Sequence, residues 1–126
     1  ESGTIDLPIG RKSESVIERC VDKTHGERAV THYEVLEART DQTLVKCQLE
    51  TGRTHQIRVH MQAIGHPLVG DFLYNPHALR EERPLLHSWR LAFTHPVSGD
   101  EVYFTAPVPA DMQGWKWFQP DKMKVT

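Results

Sequence analysis

Two segments in the first half of the chain have the residue pattern of β-strands. Residues 29–37 are rich in β-branched and aromatic side chains, and within residues 43–50 the apolar Val45, Cys47 and Leu49 alternate with polar neighbours. The short stretch between the two segments is mostly polar. We therefore predict an antiparallel hairpin with one buried face.

A second hairpin is predicted near the end of the chain. Residues 90–94 and 101–105 flank a turn that contains proline, serine and glycine. Before the first hairpin, residues 3–12 form a short apolar piece interrupted by proline and glycine, and a polar stretch continues to Arg28. We expect loop and edge structure in that region. The aromatic residues 115–118 are expected to pack back on the sheet.

One short helix is predicted between the hairpins. Ile57, Met61 and Ile64 recur at the spacing i, i+4 and i+7, which is typical of one face of an amphipathic helix. Thr54 is a candidate N-cap. Gly65, with Pro67 two residues later, ends the pattern. Strands with a single helix between them predict an α+β fold, mostly antiparallel sheet, rather than a parallel βαβ sheet.

The composition fits one compact unit. With 126 residues, 38% of them hydrophobic and 25% charged, residues 1–126 are expected to form a single folding unit. We find no membrane span or signal pattern, so we expect no membrane partner and a cytoplasmic location. Cys20 and Cys47 indicate neither a disulfide framework nor a zinc ribbon. The net charge of −2 means that any RNA binding must depend on local charge.

Residues 51–70 carry the local concentration of basic side chains and contain no acidic residue. Backbone N–H groups at the predicted helix start would favour a phosphate or a carboxylate beside Arg53. Arg58 lies next to the apolar stripe, where its guanidinium could pair with a carboxylate through two hydrogen bonds. By spacing alone, both arginines could also be solvated charges on a helix face.

Metal binding and several enzyme classes find no support in the sequence. His55 and His60 are five residues apart, which turns them away from each other on a helix, so we predict no metal site. Asp71 is the most evident local carboxylate for catalysis, but we expect it to be a turn or capping residue. The chain contains no G-x-S-x-G elbow, phosphate-binding loop or dinucleotide fingerprint.

The segment LETGRTHQIRVHMQAIGHPLVGD, residues 49–71, resembles the signature of the RluA family of RNA pseudouridine synthases. The similarity extends upstream through residues 3–11 and 29–37, and downstream through residues 85–99 and 104–112. The resemblance implies that the whole chain is the C-terminal portion of a single catalytic domain with the pseudouridine synthase fold. In this arrangement a short helix follows the GRTHQIR turn.

The resemblance also implies a reaction. In this family an aspartate attacks the target uridine, the glycosidic N–C bond breaks, and the base is rejoined through carbon, with no cofactor and no metal. The uridine leaves its stack to reach the site. Arg58 matches the arginine that pairs with the catalytic aspartate. The positions expected to bind RNA or support the pocket are Arg53, Thr54, His55, Gln56 and His60, with Leu86 as an apolar wall of the pocket.

The chain departs from the family pattern in one respect. The family's catalytic aspartate lies in an H-R-L-D segment followed by a K-x-Y segment, and both belong upstream of Gly3. We therefore expect this chain to be inactive alone, to require the missing N-terminal half of the domain as a partner, and to act on RNA, with ribosomal RNA as the expected class. Two alternatives are a non-catalytic RNA-binding module and a small hydrolytic or anion-binding domain that uses Asp71 and a histidine.

Overall fold

The structure, a computed structural model, describes residues 1–13, 17–79 and 82–118 and divides into two compact units, Glu1–Pro84 and Leu85–Thr126. That residues 1–126 belong to one catalytic domain stays a prediction. The elements of the first unit are β1 (Ser2–Asp6), β2 (Ile9–Arg11), β3 (Arg19–Val21), β4 (Val30–Ala38), β5 (Thr43–Leu49) and the helix α1 (Gln56–Ala63).

Three strands of the first unit form an antiparallel sheet in the order β1-β4-β5. Strands β4 and β5 are the predicted hairpin, with a shift of register between Val35 and Glu37. Val45 and Cys47 are half-buried, as the alternation predicts, but Leu49 is 43% exposed. The predicted burial of Leu49 is wrong, because Leu49 is the last residue of β5 and β5 is an edge strand of the sheet.

The polar region before this hairpin is more regular than its composition predicts. Strand β1 is an edge strand, as expected, whereas β2 and β3 pair with each other in a separate two-stranded antiparallel hairpin. The prediction of loop structure there is wrong for these two strands. Each has only three residues, which is too short to show a hydrophobic period of two.

The core of the first unit is small and lies against α1. Val59 on the helix packs with Ile9, Ala29 and Tyr74, and none of the four is more than 4% exposed. Burying a large apolar side chain of this kind contributes roughly 1.5–3 kcal/mol relative to leaving it exposed. This packing fixes the helix against β2 and the start of β4, and so determines which of its side chains face inward.

Helix α1 begins inside the GRTHQIR segment and not after it. His55 is the N-cap residue, with φ of 56°, and Gln56 is the first helical residue. No side chain makes a capping hydrogen bond at this end, so the prediction of Thr54 as the cap is wrong. The left-handed backbone at His55 turns the chain sharply into the helix, which places the threonine outside it.

The C-terminal end of α1 lies where the sequence predicts it. Gly65 has φ of 88°, and the backbone N–H of His66 donates to the Met61 carbonyl at 2.8 Å, as in a Schellman motif. Of the predicted apolar stripe, Met61 is buried, Ile57 is half-buried and Ile64 is 37% exposed. The stripe prediction is therefore wrong for Ile64, because hydrogen-bonded polar residues occupy part of the inward face.

The second unit contains the second predicted hairpin, formed by β6 (Arg90–Thr94) and β7 (Glu101–Thr105). Its predicted bounds are confirmed. Short 3-10 turns follow at Ala110–Met112 and Lys116–Phe118. In the aromatic tail, the ring of Trp117 lies 6.2 Å from that of Trp89, the residue before β6, in an edge-to-face arrangement.

Candidate functional site

Arg58, which the resemblance pairs with a catalytic aspartate, is held by Asp71. Its Nε donates to Asp71 Oδ2 at 2.9 Å and its Nη2 donates to Oδ1 at 2.7 Å, which makes a bidentate pair. The side chain of Asp71 is 0% exposed and that of Arg58 is 15% exposed. The hydrogen bonds from Arg58 to Asp71 raise the pKa of the guanidinium above its usual value. Asp71 is thus a carboxylate that Arg58 contacts within the described residues, and the pairing of Arg58 with a catalytic aspartate stays a prediction.

Asp71 is fixed by the turn that follows α1. Its Oδ1 also accepts the backbone N–H groups of Leu73 at 3.2 Å and Tyr74 at 3.3 Å, so the prediction of a turn-capping role is confirmed. The preceding Gly70 has φ of 79°, and a Cβ there would lie 2.1 Å from the carbonyl oxygen of Arg83. Because Asp71 is buried and fully hydrogen-bonded, it is poorly placed to serve as a catalytic acid or base.

Tyr74 connects the two ends of the site. Its Oη lies 2.8 Å from His55 Nδ1 and accepts the backbone N–H of Arg19 at 2.9 Å. The Arg58 guanidinium carbon lies 5.1 Å from the centre of the Tyr74 ring, within cation–π range. Tyr74 is not among the site residues predicted from the sequence. The signal that could have found it is a tyrosine three residues after the aspartate, close enough for one turn to hold both.

His55 is partly buried in a constrained conformation. A φ of 56° is uncommon outside glycine, although histidine adopts it more readily than most residues. Burial and then the positive charges of Arg58 and Arg19 lower the pKa of the imidazole below its usual value, against a smaller opposing effect of Asp71. His55 is thus held toward its neutral form, in which one ring nitrogen donates and the other accepts.

Gln56 and His60 lie inside the protein. Gln56 is 3% exposed, and its amide donates to Val30 O and Thr31 Oγ1, both at 3.0 Å. His60 is 0% exposed, with Nδ1 2.8 Å from Thr31 Oγ1 and Nε2 2.8 Å from Leu7 O. The structure does not support the prediction that these two side chains contact RNA, because their polar atoms are occupied within the fold. They support the site by holding α1 against the sheet.

Arg53 and Thr54 lie at the surface. Arg53 Nη1 is 2.9 Å from Glu27 Oε2, and its Nε donates to the carbonyl of Arg28 at 2.8 Å. Thr54 is exposed. Both side chains are accessible to a ligand, so their predicted RNA contacts stay predictions. An RNA phosphate at Arg53 would compete with Glu27.

One other residue completes the predicted set. Leu86, the predicted pocket wall, lies in the second unit and is 38% exposed. Its pocket role stays a prediction. Cys47 is not a reactive thiolate, because burial raises the pKa of its thiol to about 11.

The part of the chain that the structure describes contains no group of three His, Cys, Asp or Glu residues that could hold a metal ion. Within the same ranges, no helix has the length and apolar character needed to cross a membrane.

Comparison with known proteins shows the family to which the chain belongs. A sequence model described as RNA pseudouridylate synthase matches residues 1–63, which include the sheet, α1 and Arg58. The chain therefore belongs to the RNA pseudouridylate synthase family. The family resemblance that the signature indicates is confirmed.

Three individual proteins resemble the chain over most of its length. It is 53% identical over 110 residues to an uncharacterized RNA pseudouridine synthase of Bacillus subtilis, YjbO, covering 87% of this chain and 38% of that protein. It is 44% identical over 121 residues to the ribosomal large subunit pseudouridine synthase D of Zymomonas mobilis, covering 88% of this chain and 38% of that protein. The solved structure of human RNA Pseudouridylate Synthase Domain Containing 1 superposes with a TM-score of 0.67 at 30% identity, over 96% of this chain and 51% of that one.

These comparisons confirm the α+β fold as a portion of the pseudouridine synthase fold. The chain spans 38% of the length of the two bacterial relatives.

Proposed function

We propose that this chain is the part of an RNA pseudouridine synthase that binds RNA and presents Arg58 to the reacting groups. The reaction converts uridine to pseudouridine in RNA, with ribosomal RNA as the substrate class. The observation that carries the proposal is the position of Arg58. It lies in the family signature, is held through two hydrogen bonds, and keeps 15% of its side chain exposed.

The nucleophile in this proposal is an aspartate from a segment upstream of Gly3. Its carboxylate would approach the remaining edge of the Arg58 guanidinium, since Asp71 occupies Nε and Nη2. An adjacent cation lowers the pKa of a carboxylate and keeps it ionised for attack. The base leaves and rejoins the same ribose: the N–C bond that breaks is balanced by the C–C bond that forms, and the proton lost from carbon by one gained at nitrogen, so the proposal needs no oxidant, reductant or group donor.

Ribosomal RNA as substrate is supported by a relative's name. The Zymomonas mobilis protein is named for the ribosomal large subunit, and it is 44% identical over 121 residues. Flipping a uridine out of a stacked helix requires contacts to its flanking phosphates. Arg53 and Thr54, exposed beside the start of α1, are the side chains proposed for those contacts.

The experiment joins the upstream part of the Zymomonas mobilis relative to this chain and measures pseudouridine in unmodified ribosomal RNA. The 126-residue chain alone and the intact relative are measured in parallel. We expect pseudouridine from the joined protein and none from the chain alone. Arg58→Ala in the joined protein should lower kcat about 10²-fold or more, whereas Arg11→Ala, an exposed arginine on β2, should not.

Each other outcome contradicts part of the proposal. Product from the chain alone would mean that the nucleophile lies within these 126 residues. A folded joined protein that makes no product, beside an active intact relative, would contradict the enzyme assignment. RNA binding that persists in that case would favour the non-catalytic RNA-binding module.

A further inference from the structure

One turn contacts two residues of the family signature. Asp71 and Tyr74 belong to the turn after α1, and they hydrogen-bond to Arg58 and His55, which lie three positions apart at the start of that helix. Both side chains also lie against the ring of Tyr74, at 5.6 Å between ring centres for His55 and 5.1 Å from the Arg58 guanidinium carbon to the ring centre. The turn therefore determines the orientation of two neighbouring polar side chains at once.

The hydrogen bonds of Tyr74 determine which nitrogen of His55 carries the proton. Tyr74 Oη accepts the backbone N–H of Arg19, and the residue is only 3% exposed, so its hydroxyl hydrogen needs an acceptor inside the protein. His55 Nδ1, at 2.8 Å, is that acceptor. The neutral imidazole then carries its hydrogen on Nε2, which makes no hydrogen bond with the described residues.

Arg58 is restrained on two sides in the same way. Asp71 accepts from Nε and Nη2, and the Tyr74 ring lies under the guanidinium. Within the described residues Nη1 has no hydrogen-bond acceptor, and 15% of the side chain is exposed. A planar guanidinium held at one edge presents its other edge in a fixed direction.

We propose that Asp71 and Tyr74 are positioning residues that hold Arg58 and His55 as a pair of oriented donors, Nη1 and Nε2, for an oxyanion. This inference rests on the proposed function, in which the oxyanion is either the nucleophilic carboxylate or a phosphate oxygen of the RNA. Both are anionic oxygens that accept hydrogen bonds from the same geometry. Asp71 and Tyr74 themselves touch neither the substrate nor the nucleophile.

The first test examines the tautomer of His55 in the whole 126-residue chain by the ¹⁵N chemical shifts of its imidazole. We expect the hydrogen on Nε2. In Tyr74→Phe, which keeps the ring but removes the hydroxyl, the preference should be lost. His55→Gln assigns the signals, and Tyr103→Phe is a matched control, because Tyr103 also lies 5.1 Å from an arginine but is exposed and has no hydrogen bond to a histidine within the described residues. A wild-type hydrogen on Nδ1, or a preference that survives Tyr74→Phe, would overturn the inference for His55.

The second test uses Asp71→Asn, which keeps an acceptor for the two turn N–H groups but loses the charge and one acceptor for Arg58. In the joined protein we expect kcat for pseudouridine formation to fall at least about tenfold. Asp100→Asn, an exposed residue of the turn between β6 and β7, is the control. Thermal unfolding of each variant verifies that it is folded, and if Asp71→Asn fails to fold, Tyr74→Phe replaces it in the same assay.

Binding of a uridine-containing RNA to the 126-residue chain separates the two sources of the oxyanion. Weaker binding by Asp71→Asn indicates a phosphate, and unchanged binding with reduced kcat indicates the carboxylate. Unchanged binding together with unchanged kcat in an active joined protein would overturn the inference for Arg58. If the wild-type joined protein is inactive, the proposed function fails, while the tautomer and RNA-binding measurements still decide the positioning role.

Discussion

Thr31 shows how one buried side chain can connect three elements. Its hydroxyl accepts the Gln56 amide at 3.0 Å and lies 2.8 Å from His60 Nδ1, and the opposite ring nitrogen of His60 donates to Leu7 O. Since a carbonyl can only accept, His60 Nε2 carries the hydrogen and Nδ1 accepts from the threonine. Strand β4, helix α1 and the end of β1 are thereby joined by a chain of satisfied polar groups.

Replacing Thr31 with valine is a small change in shape, but it should destabilise the protein strongly. The shape is nearly kept, but His60 Nδ1 loses its donor and the Gln56 amide loses one acceptor inside the fold. Leaving buried polar groups unpaired costs roughly 1–3 kcal/mol. Thr4→Val removes a similar hydrogen bond to His32 at an exposed site and should cost less than about 0.5 kcal/mol. Urea unfolding of the two variants compares them, and equal losses would contradict the argument.

The lowered pKa of His55 predicts a pH dependence of stability. Burial lowers this pKa most, the charges of Arg58 and Arg19 lower it further, and Asp71 raises it less. The unfolded chain binds a proton near the ordinary pKa of about 6.5, before the folded chain does, so this residue reduces stability as the pH falls below that value. Between pH 7.5 and pH 5.5, His55→Gln should lose less stability than the wild type in urea unfolding. An equal loss would mean that the imidazole titrates normally.

At the scale of elements, glycines fix both ends of the loop that joins α1 to the Asp71 turn. Gly65 ends α1 with φ of 88°, and Gly70 begins the Asp71 turn with φ of 79°. They differ in their surroundings, because a Cβ at Gly65 would meet open space whereas one at Gly70 would collide with the Arg83 carbonyl. Backbone strain and steric collision can thus be separated by experiment.

Alanine substitutions at these glycines should lower the free energy of unfolding by different amounts. Gly65→Ala should cost about 1–2 kcal/mol, the usual cost of a left-handed backbone for a residue with a Cβ. Gly70→Ala should cost more, because the backbone must also move away from an oxygen 2.1 Å from the new atom. Gly52→Ala, which has open space and no positive φ, is the control and should be near neutral. Denaturant unfolding of all three measures the order, and a larger loss for Gly65→Ala than for Gly70→Ala would contradict it.

The sequence predicts secondary structure well where the strand-like segment is long or a glycine clearly ends the helix. Strands β4 to β7 and the end of α1 lie where alternation and glycine indicate. The predicted cap at the start of α1 is wrong because a left-handed backbone at His55 takes the place of a side-chain cap. The spacing of apolar residues carries no information about a backbone dihedral angle.

The site was predicted in its parts but not in its assembly. Arg58 was expected to need a carboxylate and Asp71 to cap a turn, yet their pairing depends on a turn that only Gly70 permits. Gln56 and His60 look like surface polar residues in a basic segment. Their burial follows from acceptors more than twenty residues away along the chain, Val30 O for Gln56 and Leu7 O for His60.

On the scale of the whole molecule, net charge says little about RNA binding. The chain has a formal charge of −2, and the basic segment carries acidic partners from elsewhere in the fold. Arg53 is paired with Glu27 at 2.9 Å, and Glu27 is on the surface with its side chain 73% exposed. An exposed pair of this kind contributes between 0 and about 1 kcal/mol, so a phosphate can displace the carboxylate at small cost.

Removing that carboxylate should therefore strengthen RNA binding. Glu27→Gln frees Arg53 for a phosphate and adds one unit of positive charge, so affinity for a uridine-containing RNA should rise a few-fold. The salt dependence should become steeper by up to about 0.7 per added phosphate contact on a single strand. Glu101→Gln in β7 makes the same change in net charge far along the chain from Arg53 and should raise affinity less. Because the two variants have equal net charge, a difference between their binding isotherms reports local pairing, and equal isotherms would mean that Arg53 does not contact the RNA.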